Sequence, residues 1–324
     1  MQAMPSMLDA GARGVYPIAA TPFTESGDID WPSMEPMIEF YLGCKVQGLT
    51  ILGLMGEAQK LSDSEAAELT RVALRLVAGR VPVVVGVSSP GTANLLALSR
   101  VAMNAGASGV MIAPLNGLKT EAQIAAYFAD VIAALGPDVP VCYQDYPQSS
   151  QSDISAAGFV RLVDAHDSIV MFKHEDCPGL KKLSAVRKAC DGTAHRRVAI
   201  FVGNGGLYVP QELLRGADGI MTGFAYPDVL VEIYDLFAVG RGDDAEDLYD
   251  RYLPLLRHEQ QPGFGLPVRK EILRRRGAIR CAAVRAPGGR LDAEDIAELD
   301  RLMRRLEAKT TPRGADLRQS RATA

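Results

Sequence analysis

The stretch Arg80-Val-Pro-Val-Val-Val-Gly-Val-Ser-Ser89 carries no charged or hydrogen-bonding side chain from Val81 to Val87. A strand with one face in water alternates apolar and polar residues. A strand that is apolar on both faces is built for a parallel sheet with core on one side and helices on the other. Seven more runs of this kind occur, at residues 14–23, 46–57, 107–115, 139–147, 168–175, 197–206 and 217–224. Segments of helical period follow them at residues 31–44, 63–77, 92–105, 121–134, 156–164, 179–190, 210–215 and 227–239. Strand then helix, eight times, predicts an α/β chain folded as a (β/α)8 TIM barrel. A doubly wound dinucleotide-binding sheet would need a glycine fingerprint after its first strand. Residues 11–17 lack one, and Gly203-Asn-Gly-Gly206 follows a late strand.

The length of 324 residues suits one barrel with additions. Residues 1–13 form an N-terminal segment and residues 14–240 the barrel. Residues 241–309 form three more helices, near 243–258, 267–276 and 292–307, with too little apolar surface to fold alone; they are expected to pack on the barrel as a C-terminal extension. Residues 310–324 are polar and without hydrophobic period, and disorder is expected there.

A net charge of −4 lacks the basic field of a nucleic-acid binder. The apolar runs are strand-sized, well short of the roughly 20 residues that cross a bilayer. Neither nucleic acid nor membrane is therefore expected as a partner. Residues 1–13 lack the basic and apolar blocks of a signal peptide, so a cytoplasmic location is expected. The five cysteines show no CxxC spacing and read as reduced, mostly buried thiols. The four histidines are scattered, without HExxH, and no metal is expected.

Active sites of such barrels lie at the C-terminal ends of the strands. The polar residues there are Thr21, Glu57, Ser88, Asn116, Gln144, Asp145, Lys173, Glu175, Asn204 and Thr222. Lys173 ends the run Ile169-Val-Met-Phe172. Period two puts Met171, Lys173 and Glu175 on one face and Phe172 and His174 on the other. Desolvation favours the free amine of a lysine, which is a nucleophile toward ketones, and a carboxylate two residues on can accept a proton. An ion pair capping the strand end explains the same two residues, and the sequence leaves both readings open. Gly53-Leu-Met-Gly-Glu57 reads as a tight turn exposing backbone N–H groups that could hold a carboxylate, or as an ordinary strand-to-helix turn. Gln144 shares its face with Cys142 and Tyr146; Tyr143 faces the other way. Asn204 could bind a hydroxyl or form a turn.

Taken together, Thr21-Pro-Phe23, Gly53–Glu57, residues 79–87, Phe172-Lys-His-Glu175 and Gly219-Ile-Met-Thr-Gly223 resemble the dihydrodipicolinate synthase/N-acetylneuraminate lyase superfamily, over residues 14–307. The resemblance implies a Schiff base between Lys173 and a 2-keto acid, with no separate cofactor. It implies substrate binding around Thr21, Gly53, Leu54, Met55, Gly56, Asn204 and Gly223, and a homotetramer or homodimer. Leu54 and Met55 stand where that family has two threonines, and Gln144 stands where its synthases have a catalytic tyrosine. The stretches Gln144-Asp-Tyr-Pro147, 221–228 and 252–263 are similar to the 2-keto-3-deoxy-L-arabonate dehydratase branch. The expected reaction is dehydration of a 2-keto-3-deoxy sugar acid, with Lys173, Glu175 and Gln144 as catalytic residues. A pyruvate-dependent aldolase and a catalytically silent sugar-acid-binding protein are the alternatives.

Overall fold

The structure, a computed structural model, describes residues 6–310. Strand and helix alternate along the barrel: β1 (Gly14–Val15), α1 (Met34–Gly43), β2 (Leu49–Ile51), α2 (Asp63–Val77), β3 (Val83–Gly86), α3 (Thr92–Asn104), β4 (Gly109–Ile112), α4 (Glu121–Leu135), β5 (Val141–Asp145), α5 (Pro147–Ser150), α6 (Ala156–Ala165), β6 (Ile169–His174), α7 (Leu180–Ala189), β7 (Ala199–Val202), α8 (Val209–Leu214), β8 (Gly219–Ile220) and α9 (Pro227–Ala238). Three helices follow: α10 (Gly242–His258), α11 (Gly265–Arg275) and α12 (Ala293–Thr310). The eight-part pattern read from the sequence is the fold. The one barrel helix it missed is the single turn α5, started by Pro147. The disorder expected beyond Thr310 lies outside the described residues, and Thr310 itself closes α12.

All neighbouring strands pair in parallel, in the order β1-β8-β7-β6-β5-β4-β3-β2. The barrel closes between the ends of that order: Ile18 bridges Thr50, and the Thr50 N–H donates to the Pro17 carbonyl at 2.9 Å. Strand residues are almost all buried, the inner set filling the barrel and the outer set meeting the helices. Tyr16 and Phe201 meet edge to face inside, with ring centroids 4.8 Å apart. Sequence-local signals fix several helix starts. Ser62 with Glu65 opens α2, and Thr120 with Gln123 opens α4, each as a reciprocal capping box. At the bottom of the barrel, Leu8 is buried and its N–H donates to the Ser108 carbonyl at 2.8 Å, so the N-terminal segment seals that end.

Candidate active site

The inner faces of β5 and β6 meet in register, with Gln144 opposite Lys173. Lys173 Nζ lies 3.1 Å from Glu175 Oε2, and Gln144 Nε2 donates to the same oxygen at 2.7 Å. All three side chains are buried, Lys173 to 1% exposure. The strand period thus brings together the three residues expected to act, and the ion pair that the sequence left open is present. Glu175 is held from behind by a close approach. A side chain at Gly203 would put its Cβ 2.5 Å from Glu175 Cγ and Oε1, so only glycine leaves the carboxylate its place. Tyr143 and His174 face outward as the period requires. Tyr143 is enclosed by Phe128, Phe159 and Phe172, and burial pushes its phenol well above the usual range.

A cavity of about 600 Å³ opens at this end of the barrel, walled by Gly53, Leu54, Gly86, Met111, Gln144 and Tyr146 and continuing outward between α2 and α3. Lys173 and Glu175 lie behind the wall; Gln144 lines the cavity and bonds Glu175, so it is the link between them.

The other expected binding residues divide. Gly53 and Leu54 line the cavity, and the N–H groups of Leu54 and Met55 donate to no protein acceptor among the described residues. The Gly56 N–H is not free as expected: it closes the turn onto the Gly53 carbonyl at 3.0 Å. Thr21 is a clamp, its hydroxyl donating to the Gly56 carbonyl at 2.6 Å in a buried setting. Met55 turns its side chain against Gly223, so both are packing partners away from the cavity wall. Asn204 opens a 3₁₀ turn at φ 44°, also off the cavity wall; its backbone takes the turn reading. The cysteines also differ from expectation, since Cys177 is exposed and Cys44 and Cys281 are half-buried.

The C-terminal helices reach into the same turn. Lys270 of α11 places Nζ 2.7 Å from Glu57 Oε1, with both side chains fully buried. The other oxygen, Glu57 Oε2, accepts from Lys60 at 2.9 Å and from the Arg285 N–H at 3.0 Å. Lys270 and Arg285 each stand 4.5 Å from the centre of the Phe23 ring, a cation–π arrangement. Glu57 has φ 54°, a conformation unfavourable for a side-chain-bearing residue, and these three donors hold it. The residues that sequence reasoning passed over are therefore Lys270, hidden in a run of basic residues, and Tyr146, which shares the inner face with Gln144. A third is Glu212 of α8. Burial pushes its carboxyl up to about 8, and the charge of Glu175 adds in the same direction.

The profile of the Dihydrodipicolinate synthetase family matches residues 11–306. The chain belongs to the dihydrodipicolinate synthetase family. Among its relatives is an L-2-keto-3-deoxyarabonate dehydratase of Azospirillum brasilense, 32% identical over 300 residues, 91% of this chain and 94% of that one. A solved structure named dihydrodipicolinate synthase, from Rhodopseudomonas palustris, superposes with a TM-score of 0.90 at 41% identity, covering 93% of this chain and 99% of that one. A prophage protein of this family from E. coli, solved in complex with pyruvate, gives a TM-score of 0.82 at 26% identity, covering 91% and 98%.

Proposed function

We propose that this family member is a Schiff-base lyase acting on a 2-keto acid, and that its reaction is the dehydration of a 2-keto-3-deoxy sugar acid. The observation that carries the reading is the buried group Lys173–Glu175–Gln144, which meets the cavity through Gln144, an amide where the resemblance places a phenol. The dehydratase relative supports the same choice. The substrate carboxylate docks on the unpartnered amides of Leu54 and Met55, a charge-assisted contact. A proton passing from the Lys173 ammonium to Glu175 across 3.1 Å leaves an amine able to attack the C2 ketone. Loss of water gives the iminium, an electron sink that acidifies C3. Glu175, ionised again, removes the C3 proton, a step worth about 10²- to 10⁴-fold when a positioned base performs it. The electrons then expel the C4 hydroxyl as water, and hydrolysis returns Lys173. Gln144 fixes Glu175 throughout. The covalent link to Lys173 stands in place of a separate cofactor.

Product analysis over a set of 2-keto-3-deoxy acids tests the reading. A deoxygenated keto acid, with one water lost and no pyruvate formed, is the expected result. Pyruvate release with an aldehyde identifies carbon–carbon cleavage instead, and binding without turnover identifies a silent binder; either result rejects dehydration.

A further inference from the structure

Hydroxide is a poor leaving group, so a dehydratase must protonate the oxygen that departs. At Lys173, the amine is tied up in the iminium, Glu175 is taking the C3 proton, and the amide of Gln144 is no acid. The backbone ladder brings one more group to this place. The Glu175 N–H donates to the Asp145 carbonyl at 2.8 Å, which extends the pairing of Gln144 with Lys173 by one step. Tyr146, the residue that follows the end of β5, comes next in the period-two order and lies near enough to Glu175 to feel its charge. At φ −133° and ψ 72° its backbone turns out of the strand direction as the cap of α5, just before Pro147. Its side chain lines the cavity together with Gln144, Gly53 and Leu54. Gln144, Lys173, Glu175 and Tyr146 thus make a four-membered patch on the barrel's inner face. Tyr146 is about 7 Å farther along the strand than Gln144, on the cavity side, since each strand residue rises about 3.3 Å.

Resting on the Schiff-base reading above, we infer that Tyr146 is a catalytic residue, the proton donor to the leaving C4 hydroxyl: the phenol has moved one strand period from the place where the synthases carry it. The step balances as follows. Glu175 takes the C3 proton and the C3–H electrons become the enamine double bond. The enamine pushes out the C4–O bond while the Tyr146 hydroxyl gives its proton to that oxygen, which leaves as water. The resulting phenolate takes back the proton that Glu175 gained, and both groups are reset. Burial and the negative charge of Glu175 both push the Tyr146 phenol above its ordinary value, with Arg269 pulling the other way, so the proton is in place at neutral pH.

The test compares the full-length wild type with Tyr146→Phe in three assays: borohydride trapping with pyruvate, turnover of a 2-keto-3-deoxy acid, and fluoride release from the matching 4-fluoro-2-keto acid. Fluoride leaves without needing a proton. We expect Tyr146→Phe to trap pyruvate as the wild type does, to lose about 100-fold or more in dehydration, and to release fluoride within a few-fold of the wild type. Dehydration at the wild-type rate overturns the inference. So does fluoride release that falls in step with dehydration, since this marks a merely structural role. A wild type that traps no pyruvate overturns the parent reading itself, and with it the role of Tyr146.

Discussion

Lys270→Met removes the cation that joins α11 to the turn Gly53–Glu57 while keeping most of the stem's volume. Glu57 stays fully buried with Lys60 at 2.9 Å and the Arg285 N–H at 3.0 Å as its remaining partners. Removing one member of a buried ion pair costs about 3–5 kcal/mol, because the other charge is left uncompensated. The two surviving donors, and relief of the burial that holds the Lys270 ammonium below its ordinary range, place the loss at the lower end, about 3 kcal/mol. Equilibrium urea unfolding of the variant measures it. Adding Glu57→Gln to Lys270→Met should recover part of the loss, since no buried charge then remains without its partner. Because Glu57 closes the turn that carries the Leu54 and Met55 amides, its N–H donating to the Leu54 carbonyl at 3.0 Å, KM for a 2-keto acid should rise more than kcat falls. A loss below about 1 kcal/mol, the size of an exposed ion pair, would refute the reasoning.

Tyr143→Phe should leave turnover within two-fold of the wild type and stability equal or slightly higher, because the Tyr143 hydroxyl is buried on the outer face without a partner among the described residues; steady-state kinetics and thermal melting check this. Gly203→Ala should lower kcat by at least about ten-fold with the fold intact by circular dichroism, since the new Cβ takes the space of the Glu175 carboxylate, the proposed general base. Glu212 has a folded pKa near 8, above its ordinary value of 4.5. A raised carboxyl favours the folded state at low pH, and this contribution is lost as pH climbs from about 4.5 to 8, on the order of 5 kcal/mol over the window. Glu212→Gln should flatten that part of the stability–pH curve, as urea unfolding at a series of pH values would show.

The barrel was legible because each strand run is apolar on both faces, a pattern that depends only on residue order. The same period-two logic placed Lys173, Glu175 and Gln144 on one face and sent Tyr143 and His174 to the other. What the sequence hid is set by tertiary contact. Lys270 sits in Arg269-Lys-Glu-Ile-Leu-Arg-Arg-Arg276, which reads as a solvated charge run, and only the docking of α11 buries it against Glu57, 213 positions away. Thr21 was readable as a polar strand end, but its target, the Gly56 carbonyl, comes from another strand's turn. Asn204 and Gly56 show the same limit. Which amides of a turn remain free depends on its closing hydrogen bonds, and those follow from backbone angles that residue type does not determine. Tyr146 shares the face of Gln144 in the sequence, but its place on the cavity wall depends on how the chain turns at Pro147.

The Schiff base is the claim on which the rest stands. Borohydride reduction in the presence of pyruvate, followed by peptide mapping by mass spectrometry, tests it most directly. The account predicts one reduced pyruvyl adduct, on Lys173, absent without pyruvate and abolished in Lys173→Ala. No adduct, or an adduct on another lysine such as Lys182 or Lys270, would contradict it.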